Sequence, residues 1–209
     1  MFDQADPPEQ VVLGIDPGVS RCGYGVVRRA GTRFHAVAYG VLRTPPRDEL
    51  PDRLATLLRE LDALIAEFRP WALAVERVLF QVNTRTAMSV GQASGLALAL
   101  AGRAGIPVVH YSPNEVKLAV AGDGGAGKFE VQQMVMRLLQ LAEAPDPPDA
   151  ADALALALCH WWRAPMAAVT GAARSSRLDE AIARAQAKSG AQAKSGAQAK
   201  SGAPVRGVR

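Results

Sequence analysis

Along this chain, short continuous apolar runs give way to longer stretches with apolar residues at helical spacing. Residues 11–16 (VVLGID) are apolar up to a terminal aspartate and are closed by Pro17-Gly18, which predicts a buried strand and a turn. Residues 22–28 and 33–43 continue as strands, separated by a hairpin turn at Arg29-Ala30-Gly31-Thr32. From Pro51 to Phe68, Leu54, Leu57, Leu58, Leu61, Leu64, Ile65 and Phe68 recur at helical spacing, which predicts an amphipathic helix. Arg69-Pro70 ends it, and ALAVE (72–76) forms another short buried strand.

A second helix, rich in Ala, Gly and Leu, is expected from about Thr84 to Arg103, and a short strand from Pro107 to Tyr111. Ser112-Pro113 has the form of an N-cap followed by proline at the first helical position. The Gly-rich stretch 122–127 precedes a helix from about Phe129 to Leu141. The last helix opens at Asp146-Pro147-Pro148, with Asp146 as its cap, and runs to about Trp162. Strands first, then strands alternating with helices, predict an α/β fold: a mixed sheet covered by helices.

After Arg163 the pattern stops. Gln-Ala-Lys-Ser-Gly-Ala occurs three times in succession from Gln186 to Ala203, without the large apolar groups needed to offset chain entropy. The expected organisation is therefore a flexible N-terminus (1–10), one folded domain (11–163) and a low-complexity basic tail (164–209), mostly disordered. The net charge of +4 belongs to that tail: residues 164–209 carry eight Lys or Arg against Asp179 and Glu180, a balance of +6 that leaves −2 for residues 1–163. The body is not a basic domain, so any nucleic-acid footprint on it must be local. No apolar run approaches the roughly 18 residues of a membrane span. The acidic start (MFDQADPPEQ) lacks the apolar core of a secretory signal, and two cysteines make no disulfide framework. These features predict a cytoplasmic protein. Its three histidines, His35, His110 and His160, show no zinc-ligand spacing.

Acidic residues occupy costly places. Asp16 ends one buried strand and Glu76 another, where an unpaired carboxylate is penalised unless it is protonated or faces a cation. Asp149 and Asp152 are three apart on the apolar last helix, so they share a face and repel unless a cation lies between them. Each has an ordinary alternative. Asp16 fits a turn, Glu76 can pair with Arg77 or another arginine, and Asp149 suits a helix N-terminus. Together the four point to an oxygen-ligated Mg²⁺ or Mn²⁺ site. Two such ions about 4 Å apart activate water and stabilise the leaving oxygen in phosphodiester hydrolysis.

GIDPG (14–18), GYGVV (23–27), AVER (74–77), GQASG (91–95) and DAADALALA (149–157) occur in this order. With that order and spacing, residues 11–163 resemble the RuvC family of Holliday junction resolvases. The resemblance implies a ribonuclease-H-like fold, a homodimer, and paired symmetric nicks in a four-way DNA junction during recombination and repair. It also implies two Mg²⁺ or Mn²⁺ ions per active site and partnership with the RuvA-RuvB branch-migration complex. By motif, Asp16, Glu76, Asp149 and Asp152 become the catalytic metal ligands, and Lys117 and Lys128 the DNA-backbone contacts. Arg77 and Arg85 are further DNA-contact candidates. The family commonly has a base-stacking aromatic three residues after the glutamate. Here that position is Leu79, and the following Phe80 either takes over the stacking or is buried. Gly91 and Gly95 allow either a close crossing between subunits or packing on the chain's own sheet. An ATP-handling protein of the same superfamily fits less well, because 163 folded residues are too few for two domains and no phosphate loop is present. A ribonuclease shares the chemistry, and a non-catalytic junction binder would not need all four acids.

Overall fold

The structure is a computed structural model that describes residues 10–77 and 84–164. Its centre is a five-stranded sheet of order β3-β2-β1-β4-β5. The strands are β1 (Val11–Asp16), β2 (Arg21–Ala30), β3 (Arg33–Arg43), β4 (Ala72–Glu76) and β5 (Val108–Tyr111). The β1-β2-β3 meander is antiparallel, and β1-β4-β5 run parallel. The expected mixed α/β sheet is thus observed, with strand bounds within one or two residues of the sequence reading.

Residue alternation along the strands decides what each face holds. On β1, Leu13 and Ile15 are fully buried against α1 (Leu50–Phe68) and α2 (Thr84–Arg103), in a core with Leu57, Leu61, Ala97 and Leu100. Burial of an aliphatic side chain of that size stabilises by about 1.5–3 kcal/mol. Val12 points to the other face, with Ala74 of β4. That face is covered by α3 (Pro113–Ala121), α4 (Lys128–Leu139) and a helix over 148–164, here α5.

The caps explain where the helices begin and end. Ser112 accepts the Glu115 N–H at 3.3 Å while the Glu115 carboxylate accepts the Ser112 N–H at 2.8 Å, a capping box that starts α3 as predicted. At the start of α5 the expectation needs correction. The helix begins at residue 148, which puts Pro147 rather than Asp146 at the cap position, and the Pro147 carbonyl accepts the Ala150 N–H at 3.0 Å.

The glycines of β1 and β2 set how closely α5 can lie. A Cβ on Gly14 would overlap the Ala153 carbonyl oxygen, and one on Gly23 the Asp149 carbonyl oxygen. A Cβ on Gly25 would sit 2.7 Å from the Leu154 nitrogen. Bare backbone at these three positions lets the helix rest directly on the sheet. This seat carries Asp149 and Asp152 to the ends of β1 and β4.

Candidate active site

Asp16 has the parity of Gly14 and Val12, and Glu76 that of Ala74, so both carboxylates leave the sheet on the α5 face. Ile15 pairs with Val75 in the parallel β1-β4 register, which makes Asp16 and Glu76 neighbours at the carboxyl ends of adjacent strands. Ligand sites of open α/β sheets lie at such ends. Asp16, Glu76 and Asp152 line one cavity of about 430 Å³ with Lys117, Lys128, Pro113, Val116 and Val131. Asp149 lies one helical turn before Asp152 and acts on Asp16 through its charge. The four acids predicted from scattered sequence positions are therefore brought to one place, three in the cavity and the fourth beside it.

The site's electrostatics follow from that convergence. Burial, a hydrogen bond to Glu76 and the charges of Glu76, Asp152 and Asp149 push the Asp16 carboxyl up to about 8. Two basic side chains partly compensate. Lys128 Nζ donates to Asp152 at 2.6 Å, and an Arg21 guanidinium N–H donates to the Asp149 carboxylate. Burial pulls the Lys128 ammonium down, but its bond to Asp152 and the surrounding acid charges outweigh that and hold it above its usual value.

The cavity's oxygen donors, with no His or Cys among them, suit a hard divalent cation. In the arrangement seen, Asp149 and Asp152 are turned to Arg21 and Lys128. Among the described residues no three acidic, His or Cys side chains stand close enough together to hold one ion. The cluster is assembled in position, with two of its four carboxylates paired to the chain's own cations.

The other predicted contacts divide. Lys117 lines the cavity from α3. Arg77 is held at the first turn of that helix: its guanidinium lies 3.8 Å from Glu115 and donates to the His110 carbonyl at 3.2 Å. It does not pair with Glu76, so the Arg77 half of that alternative falls away. Glu115 is also 3.4 Å from Arg163, and the Ser112 backbone N–H heads the interactions that hold its carboxyl below the usual range. Phe80 lies outside the described residues, as does the side chain of Arg85. Sequence reading missed Arg21. Its parity with Gly23 and Gly25 aims it at the α5 face, but its contact spans 128 residues and only the fold reveals it.

The family model for "Crossover junction endodeoxyribonuclease RuvC" matches residues 12–160. The chain belongs to the RuvC family. It is 58% identical over 153 residues to the crossover junction endodeoxyribonuclease RuvC of Salinispora arenicola, a match covering 73% of this chain and 87% of that protein. Among solved structures, Thermus thermophilus RuvC in complex with a Holliday junction substrate is similar with a TM-score of 0.72 and 41% identity, over 75% of this chain and 96% of that one. The yeast mitochondrial Holliday junction resolvase, at 17% identity and a TM-score of 0.53 over 75% of this chain and 81% of that one, shares the fold. Among the described residues no helix is long and apolar enough to cross a membrane.

Proposed function

We infer that this RuvC-family chain is a metal-dependent endonuclease that resolves four-way DNA junctions by paired nicks. The observation that carries this reading is the placement of Asp16, Glu76 and Asp152 in one cavity walled by Lys117 and Lys128, with Asp149 alongside. Asp16 and Glu76 come from the rigid centre of the sheet, and Asp149 and Asp152 from a helix seated on its glycines. Such a frame holds ligands without reorganisation during the reaction.

In this reading the four carboxylates hold two Mg²⁺ or Mn²⁺ ions. When bound, these ions supply an activated water and stabilise the departing 3′ oxygen. The protein's own share is binding, charge placement and exclusion of competing geometry. Lys117 and Lys128 take backbone phosphates on the α3–α4 side, where a point charge with reach is sufficient. Arg85 and Phe80 extend the contact surface, with Phe80 as the base-stacking residue in place of Leu79. Arg77 contributes through its hold on α3, the helix that carries Lys117.

Paired nicks on opposed strands require two such sites. Among the described residues a Cβ at Gly91 or Gly95 would meet nothing within 4 Å, and both positions are exposed. The chain's own packing therefore does not demand these glycines. A second copy crossing α2 would use them, which supports the homodimer. The domain spans 11–163, the basic tail adds non-specific phosphate affinity, and the protein acts in the cytoplasm with the RuvA-RuvB complex.

The test is a synthetic four-way junction offered with Mn²⁺, Mg²⁺ or chelator. Symmetric nicks that depend on the ion are expected. Cleavage of RNA or linear duplex in preference to the junction would overturn the reading.

A further inference from the structure

Arg21 opens β2 and shares the sheet face of Gly23 and Gly25. Its cross-strand partner is Arg43, the last residue of β3. Like charges directly opposite on a sheet repel unless something neutralises them. Asp149 does this for Arg21, while Arg43 is exposed and has no partner among the described residues. Arg53 reaches the residues next to this pair, and its partners among the described residues are neutral: its Nε donates to the Thr44 hydroxyl at 3.0 Å and another N–H to the Ser20 hydroxyl. Two guanidiniums thus stand side by side where β2 begins and β3 ends, with the Asp149 carboxylate on one of them. That carboxylate belongs to a candidate metal ligand.

We propose that Arg21 is an exchangeable cation which holds Asp149 when the site lacks a divalent ion and passes to a DNA phosphate when Asp149 is taken by the ion, with Arg43 beside it as a permanent phosphate contact. The inference rests on the resolvase reading above. The chemistry is an exchange of partners. Asp149 trades a guanidinium for a harder and more highly charged cation, and Arg21 trades a carboxylate for a phosphodiester oxygen. A guanidinium serves either oxyanion equally well. The substrate strand is thereby gripped from β2 and β3 as well as by Lys117 and Lys128, and its affinity becomes linked to ion occupancy. Without the ion, the arginine that would recruit DNA is already occupied by Asp149.

The linkage is testable with the full chain and a fluorescent four-way junction, titrated by anisotropy over a range of salt in chelator and in Ca²⁺, with gels confirming that the junction stays intact. Neutralising one phosphate fewer lowers the slope of log affinity against log salt by about 0.9. Arg43→Gln is expected to lower it by about that amount in both conditions. Arg21→Gln is expected to do so in Ca²⁺ and to leave the chelator slope unchanged, whereas Arg21→Lys, which keeps the charge, retains the wild-type slope in Ca²⁺. Without DNA, Arg21→Gln is expected to reach its half-maximal thermal shift at severalfold lower Mn²⁺ than the wild type, because no guanidinium competes for Asp149. An unchanged slope for Arg21→Gln in Ca²⁺, or a higher Mn²⁺ requirement, overturns the exchange. If that happens while the wild type still prefers and nicks the junction, the resolvase reading stands alone. A wild type with no preference for the junction over linear duplex would instead remove the reading itself.

Discussion

Gly23 lies so close beneath Asp149 that a Cβ on the glycine would overlap the aspartate's own carbonyl oxygen. The helix that carries Asp149 and Asp152 and the strand below it therefore meet backbone to backbone, and the height of those two carboxylates is set by the absence of a methyl group. Gly23→Ala is expected to lift the start of α5, at an overpacking cost of about 1–3 kcal/mol. Cleavage measured well below the variant's melting temperature should fall by more than its unfolded fraction explains. Wild-type cleavage in a folded Gly23→Ala protein would show that this seat does not set the site.

Asp149→Asn and Asp152→Asn are each expected to abolish cutting while junction binding in chelator is retained, and strengthened where Arg21 or Lys128 is released to a phosphate. Both acids are partly exposed and paired with exposed cations, so their neutralisation should change the metal-free melting temperature little, in keeping with the ~0–1 kcal/mol of such pairs. Parallel cleavage, gel-shift and thermal-denaturation measurements separate the cases. Loss of folding together with cutting would assign these acids a structural role.

The raised Asp16 carboxyl fixes a pH dependence. Its folded value of about 8 lies above the ordinary 3.8, so the ionised form is the penalised one in the metal-free protein. Stability without metal should decline as pH rises from about 4 to about 8 and level off beyond. A divalent ion must displace that proton, so its affinity should climb through the same window, by up to about tenfold per pH unit while one proton is released. The rise in melting temperature produced by Mn²⁺ is accordingly expected to grow between pH 6 and 8. A shift independent of pH over that range would contradict the assignment of Asp16 as a ligand.

Glu115 joins three parts of the fold: it closes the capping box of α3 and receives Arg77 and Arg163. Glu115→Gln keeps the box's shape and loses its charge, for a cost of about 1 kcal/mol at neutral pH. The folded carboxyl is held below the usual range, so its contribution is present at neutral pH and disappears as pH falls through that lowered value. The variant and wild type should therefore melt closer together in acid than at pH 7. A constant gap between them would show that charge plays no part.

Removal of residues 164–209 is expected to weaken junction binding more at low salt than at high salt, because the tail carries +6. Cleavage at saturating protein should remain. A truncated chain with the wild-type salt slope would leave the tail without a phosphate-binding role.

The strands and most helices were legible because their periodicity is strong: β1, β3, β4 and α2 lie where VVLGID, 33–43, ALAVE and the Ala-Gly-Leu run place them. The acids were legible for a different reason. Asp16 and Glu76 break apolar strands at the one point where a charge must be explained, and helical spacing couples Asp149 to Asp152. What stayed hidden depends on approach between distant segments. The Arg21–Asp149 pair spans 128 residues, and nothing local marks Arg21 as different from the neighbouring surface arginines. Arg77 looked equally available to Glu76 or to DNA until the fold set Glu115 beside it. The cap at Asp146 failed because proline occupies both following positions and the helix starts one residue later than the simplest pattern.

α5 does two tasks with one set of residues. From Ala150 to Trp161 all but Asp152 are buried, so the helix is the main slab of one core layer as well as the carrier of Asp149 and Asp152. No loop or hinge lies between the hydrophobic interior and these carboxylates. Any exchange of ions must therefore proceed by side-chain rotation at the cavity mouth, on a backbone as stiff as the core itself. Heating that loosens this layer should blunt catalysis at the same temperature at which the chain loses its shape, with no interval of folded but inactive protein between.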